Sequence, residues 1–253
     1  MSIVLITGSC GLVGSESVKF FASKGFDIIG IDNNFRLKFF GKDGDVNWVK
    51  RDLIKFNKNY KHNNTDIRNY SALEKIFKRH KNSIKLIIHS AAQPSHDWAK
   101  KKPFIDFQIN ALGTLNLLDL TKKYANNASF IFMSTNKVYG DNPNSLPLRE
   151  LNSRWEISNK HKFFNGINET MSLDNCVHSF FGTSKSYADL IVQEYGKNSG
   201  LKTVCFRAGC ITGPNHSGAR LHGFLSYLVK SAVKKKTYTI IGYKGKQVRD
   251  NIH

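Results

Sequence analysis

Apolar residues recur along this chain at two periods. Short runs of β-branched and aliphatic residues alternate with longer stretches that place an apolar side chain every three or four positions. Residues 2–7 (Ser-Ile-Val-Leu-Ile-Thr) form a nearly unbroken apolar run, the pattern of a parallel strand buried on both faces. Gly14, Ser17, Val18, Phe21 and Ala22 then fall on one small or apolar helical stripe, and Gly25 stands where a helix ends. Residues 26–31 read as a second strand ending in Asp32, residues 45–56 as a helix, and 60–64 as a short strand. A helix over 70–81, a strand over 84–89 and a long helix opened by Pro103 follow. Beyond these come a strand over 128–133, a helix from His178 with Tyr187, Ala188, Ile191, Val192 and Tyr195 on its apolar face, and a strand over 201–206. A helix over about 221–233 and a strand over 238–241 are the last elements, while 146–174 reads as irregular. Buried strands alternating with amphipathic helices through short loops predict an α/β fold, a doubly wound parallel sheet with residues 3–6 inside it.

The turn after the first strand carries the strongest chemical signal. Gly8, Gly11 and Gly14 stand three apart between a strand and a helix. In such a turn the first glycine permits a tight reversal. The second lets a pyrophosphate approach backbone N–H groups at the helix N-terminus, and the third lets helix and strand pack closely. Asp32 ends the next strand about 20 residues on, where a carboxylate accepts the adenosine ribose hydroxyls. Glycines alone occur in many loops. In the order strand, turn, helix, strand, aspartate they predict a dinucleotide site. A carboxylate at Asp32 favours NAD, because it repels a 2′-phosphate, and Arg36 is the nearby residue that blurs this preference.

Composition changes this picture in one respect. The 253 residues suffice for one large domain or slightly more, and no apolar run reaches membrane-spanning length. Cys10, Cys176, Cys205 and Cys210 lack paired spacing, so neither a disulfide framework nor a metal site is indicated, and a reducing cytoplasm is the expected compartment. The formal net charge of +19 invites a nucleic-acid reading. The lysines are nevertheless spread along the chain among asparagines, without a nucleic-acid motif, so no such partner is expected. A positive field would assist a nucleotide-diphosphate substrate.

Other candidates are less self-evident. Asp66-Ile67 can hold an adenine amino group and line its ring, although an aspartate there also serves as an ordinary helix cap. Small residues Ala91 and Ala92 keep the backbone low after a core strand. His96 could reach a substrate, but reads more simply as an anchor for its loop. Asn110, polar within an apolar stretch, is expected to tie one loop to another through backbone hydrogen bonds.

Taken together, the glycine turn, Asp32, Asp66, Asn110, residues 134–140 (Ser-Thr-Asn-Lys-Val-Tyr-Gly), Lys185 and residues 207–214 resemble the extended short-chain dehydrogenase/reductase family. Residues 135–140, 91–96 and 213–216 look most like its NAD-dependent nucleotide-sugar epimerases, in particular the CDP-paratose 2-epimerase (CDP-tyvelose epimerase) group. The resemblance implies a Rossmann-type NAD domain over 1–206 and the start of a substrate-binding lobe over 207–253, partial because the family continues past that point. It implies a nucleotide-diphosphate sugar as substrate and is compatible with a homo-oligomer. Gly8, Gly11, Leu12, Val13, Gly14, Asp32, Asn33, Asp66, Ile67, Ala91, Ala92, Asn110 and Lys185 match the family's cofactor-binding positions. Thr135 matches the residue that hydrogen-bonds the reacting hydroxyl. Lys185 matches the lysine that holds the nicotinamide ribose and lowers the pKa of the catalytic acid/base. The implied reaction is transient oxidation to a keto sugar and re-reduction on its other face.

Two departures matter. The family's tyrosine four residues before the lysine is Phe181 here, and phenylalanine carries no exchangeable proton. Lys137, Glu169 and His178 are the replacements that position suggests; otherwise the chain binds NAD and is catalytically weak or silent. The dehydratases of the same family need an Asp-Glu pair after the threonine, and Asn136-Lys137 stands there instead.

Overall fold

The expected first strand forms β1 (Ile3–Thr7), and all five of its residues are buried. In chain order there follow α1 (Leu12–Ser23), β2 (Asp27–Ile31), α2 (Phe35–Phe40), α3 (Asn47–Phe56), β3 (Tyr60–Asn63), α4 (Tyr70–His80) and β4 (Ile84–His89). Then come α5 (His96–Lys101), α6 (Pro103–Phe107), α7 (Gly113–Tyr124), β5 (Ser129–Thr135), β6 (Leu148–Glu150) and β7 (Trp155–Ile157). The last elements are α8 (Ser179–Ser199), β8 (Lys202–Ala208), β9 (Cys210–Ile211), α9 (Phe224–Val233) and β10 (Asn251–Ile252). The computed structural model describes residues 2–219, 222–240 and 242–253.

Six parallel strands pair in the order β3-β2-β1-β4-β5-β8. The chain winds outward from β1 to β3, returns to β4 on its other side and winds outward again, so the sheet is doubly wound. The two-residue period of β1 explains the two cores. Ile3 and Leu5 face Leu73 and Phe77 of α4, Leu117 of α7 and Val192 of α8. Val4 and Ile6 face Val18 of α1 with Val49 and Leu53 of α3.

Several expected elements differ in detail. The long helix from Pro103 contains a π-helical turn at Gln108–Leu112, between α6 and α7, and Asn110 sits at its centre. Such a turn widens a helix by one residue and is common at functional sites. Within the stretch read as irregular, β6 and β7 pair as a small antiparallel hairpin. The last helix begins at Phe224, not near 221, and Leu221 lies outside the described residues. Residues 238–240 form no strand, because no described segment pairs with them, and Ile241 lies outside the described residues. The sixth sheet strand runs to Ala208, through the boundary expected at 206.

Candidate active site

Two loops at the carboxyl ends of β1 and β4 meet where the chain changes direction across the sheet, the place where open α/β sheets bind ligands. Gly8 has φ +66°, and a Cβ on it would lie 2.8 Å from the Ala91 nitrogen, so the β1 and β4 loops touch there through bare backbone. Gly14 is tighter. A Cβ on it would lie 2.0 Å from the Gly8 carbonyl oxygen. At Gly11 only the same oxygen lies within reach, a tight contact at 3.3 Å on one side, and the space around it is otherwise open. Gly11 caps α1 without a side-chain hydrogen bond, and no acidic residue occupies the first turn. The N–H groups of that turn are left for an anion.

Asp32 is fixed from both sides. Its Oδ2 accepts the Cys10 N–H at 3.0 Å, and its Oδ1 accepts the Asn34 N–H at 2.8 Å. Two neutral donors leave the carboxylate with lone pairs to offer into the cleft. Asp66 is held by Arg68 through Nε at 3.0 Å and Nη2 at 2.7 Å, and accepts the Asn33 amide at 3.1 Å. Burial alone would raise its carboxyl; the hydrogen bonds and charge of Arg68 overcome this and hold it below the usual range. The side chain capping α4 is that of Asn69, which accepts the Ala72 N–H at 3.0 Å. Asp66 is therefore not the cap.

These residues line one cavity of about 590 Å³. Gly8, Gly11, Leu12, Val13, Gly14, Asp32, Asn33, Asp66, Ile67, Ala91 and Ala92 are on its wall, and so is Thr135 at the far end. The open space at Gly11, the uncapped helix and the pinned Asp32 fit a dinucleotide. Lys185 and Asn110 are placed differently: neither lines the cavity. Lys185 is 4 % exposed, donates to the Met133 carbonyl at 2.7 Å, and its Nζ lies 4.1 Å from the centre of the Phe132 ring. Burial pushes its ammonium down to about 7. Asn110 accepts the Gln93 N–H at 2.9 Å and donates to the Gln93 carbonyl at 3.0 Å, with Asp106 and Ser184 completing its shell. These bonds are the loop-to-loop tie expected of it. It ties the loop after β4 to the π turn, one layer behind the wall.

Thr135 shares its part of the sequence with Asn136 and Lys137, and these line the cavity together with His96 and Phe181. Thr135 Oγ1 accepts the Lys137 N–H at 3.2 Å, which leaves its own proton to donate. Phe181 packs edge-on to His96 with ring centres 4.9 Å apart. Of the suggested tyrosine replacements, His178 is tied to the Val138 carbonyl at 2.8 Å and lies off this wall. Glu169 is exposed and lines a second cavity of about 1730 Å³ that shares Lys137, Asn136 and Leu12 with the first. His96 lines the cavity and its Nδ1 pairs with Ser179 Oγ at 3.0 Å, which ties the start of α5 to the start of α8. His216 and His222, from the segment before α9, also line the first cavity, as does Arg36. Nothing in their local pattern marked the two histidines.

The sequence pattern described as the NAD dependent epimerase/dehydratase family matches residues 4–253. The chain is 33 % identical to the CDP-paratose 2-epimerase of Salmonella typhi, over 99 % of this chain and 70 % of that protein. It is 27 % identical to a putative UDP-glucose 4-epimerase of Methanocaldococcus jannaschii, over 99 % of this chain and 69 % of that one. Among solved structures, a tyrosine-to-phenylalanine variant of UDP-glucuronic acid 4-epimerase from Bacillus cereus, in complex with UDP-4-deoxy-4-fluoro-glucuronic acid and NAD, superposes with a TM-score of 0.75 at 24 % identity. That alignment covers 98 % of this chain and 68 % of the other. The match takes in both loops of the cleft, and the chain belongs to the NAD-dependent epimerase/dehydratase family.

Proposed function

We propose that the chain is an NAD-dependent epimerase of a nucleotide-diphosphate sugar, of the CDP-paratose 2-epimerase kind, which oxidises a sugar carbinol transiently and reduces it again. The observation that carries this is the sharing of one cleft wall by the glycine turn, Asp32 and Thr135, with Asn136-Lys137 where a dehydratase needs two carboxyl groups. Bound NAD supplies an acceptor that takes up one hydride and gives it back, so the reaction has no net redox change.

The chain's own residues divide the remaining work. Asp32 holds the adenosine ribose, and Asp66 with Ile67 the adenine. The open space at Gly11 admits the pyrophosphate to the first turn of α1. Thr135 donates its free proton to the oxygen of the reacting carbinol and so positions that carbon. Lys185, buried behind the wall, is the proposed ribose and electrostatic partner. Arg249 on the adjoining cavity suits an anionic substrate. The test is to titrate NAD into the protein and then supply CDP-paratose. Epimerisation is expected, and Thr135→Val should abolish turnover while NAD stays bound. Turnover unchanged by Thr135→Val would overturn the assignment.

Phe181 favours a second reading, a family member that binds NAD and is catalytically silent. On that reading the parent is inactive and Phe181→Tyr restores some epimerisation, because Lys185 already stands one helical turn away.

A further inference from the structure

Oxidising a carbinol requires a group that takes its hydroxyl proton, and the residues already assigned do not supply one. A threonine hydroxyl is too weakly basic to hold that proton, and Phe181 has no polar atom. Among the polar groups on the wall, His96 packs edge to face on the Phe181 ring with centres 4.9 Å apart. Its Nδ1 pairs with Ser179 Oγ at 3.0 Å, and its Nε2 has no hydrogen-bond partner among the described residues. Ser179 has φ +59°, a left-handed conformation that is unfavourable for a non-glycine residue. It is held there at the start of α8, where its Oγ also accepts the Gly182 N–H at 3.2 Å. A base oriented by a third group, with its outer nitrogen free in a cleft, is the arrangement acid/base chemistry uses.

We propose that His96, oriented by Ser179, is the acid/base that takes and returns the proton of the reacting sugar hydroxyl. This rests on the epimerase reading above. In the forward step the O–H proton passes to Nε2 as the C–H bond breaks and its electron pair leaves with the hydride to an oxidised nicotinamide. A ketone and an imidazolium remain. In the return step the imidazolium gives the proton back to oxygen as a hydride enters the opposite face of the carbon. The charges around the ring suit the task. Although His96 is partly exposed, desolvation by the cleft around it and Lys137, from the turn after β5, hold the imidazole below its ordinary range, while Asp97 on its own helix acts the other way. His222 faces it from the segment before α9 and is itself held neutral by burial, with Arg36 beside it, down to about 3. At neutral pH His96 is then unprotonated and ready to accept.

Lys137 is the rival, since it shares the wall. Burial and Arg249 depress its ammonium, but its charged neighbours Arg249 and Asp250 belong to the segment leading into β10. The test compares the parent with His96→Gln, Lys137→Met and Ser179→Ala, with NAD affinity, kcat, KM and the pH profile of kcat/KM measured for each. His96→Gln should lower kcat about 100- to 10,000-fold, leave NAD affinity unchanged and remove the acid limb of the profile. Lys137→Met should keep that limb and move it to higher pH. Ser179→Ala should keep the limb and lower kcat more than it changes KM. In histidine-labelled protein without cofactor, the His96 ring should titrate below ordinary imidazole, and Lys137→Met should raise it. Full turnover with an intact acid limb in His96→Gln, or a limb that vanishes in Lys137→Met instead, overturns the assignment and leaves the epimerase reading standing. A parent that binds NAD and turns over no nucleotide sugar removes that reading, and the assignment with it.

Discussion

Gly11 and Gly14 lie three residues apart in one turn, yet alanine should damage them in opposite ways. A Cβ on Gly14 would lie 2.0 Å from the Gly8 oxygen, 2.7 Å from the Gly8 carbonyl carbon and 2.8 Å from Ser9 Cα. Normal contacts between such atoms are about 3.5 Å. The start of α1 would have to retreat from β1 by more than about 1 Å, and its targets are backbone, which cannot rotate aside. Overpacking of this kind costs about 3 kcal/mol, which for a chain of this size lowers Tm by about 6–12 °C. At Gly11 the nearest atom is at 3.3 Å and the backbone, at φ −73°, is one any residue adopts. Gly11→Ala should therefore fold with a Tm within about 2 °C of the parent, a cost under about 1 kcal/mol. Its methyl group would stand where a pyrophosphate approaches the first turn, so NAD should bind at least about tenfold more weakly, or 1.4 kcal/mol. Thermal denaturation without cofactor and a fluorescence titration with NAD separate the two. Gly11→Ala that loses stability as Gly14→Ala does, or binds NAD like the parent, would refute the reasoning.

Other expectations follow from single groups. Asp32→Ala should weaken NAD and narrow or reverse its preference over NADP, read by titrating both; tighter NADP binding by the parent would contradict the role given to Asp32. Lys185 is buried with its ammonium lowered to about 7, so between about pH 7 and its unfolded value near 10 the unfolded chain binds the extra proton and apo stability from this group rises with pH. Denaturant titrations should show that rise in the parent and not in Lys185→Met. Asp189 is wholly buried and meets Arg207 at 2.8 and 3.1 Å; burial raises its carboxyl, but Arg207 and Ser134 hold it below the usual value. Its stabilisation is present above about pH 4 and lost as pH falls through the lower folded value, and Asp189→Asn, which leaves Arg207 unpaired, should cost about 3–5 kcal/mol.

Much of this was legible because the relevant signals are local. A run such as Ile3-Val4-Leu5-Ile6 cannot satisfy both its faces except inside a sheet, and it is buried throughout. The glycines announced close backbone approaches that the structure shows at Gly8 and Gly14. What stayed hidden depends on partners distant in sequence. The hairpin of β6 and β7 has three residues per strand, too few for an alternating pattern to show. Residues 238–240 have a strand-like composition and pair with no strand among the described residues, which composition cannot reveal.

The same distinction separates the front of the site from its back. Residues such as Asp32 and Thr135 end strands, so the direction of the strand alone carries them to the cleft. Asn110 and Lys185 sit within helices, where position along the axis says little about depth. Asn110 is carried inward by a π turn that no local pattern signals, and its amide is spent on Gln93, Asp106 and Ser184. Lys185 is drawn down between α8 and β5 onto the Phe132 ring and the Met133 carbonyl. The bonds of Asn110 to Gln93 and Ser184 join the loop after β4 to the start of α8. Those two segments carry His96 and Ser179. Their 3.0 Å contact therefore spans elements held from behind, so that on the proposed acid/base role of His96 the hydrogen bonds of Asn110 to Gln93 and Ser184 set where its ring stands.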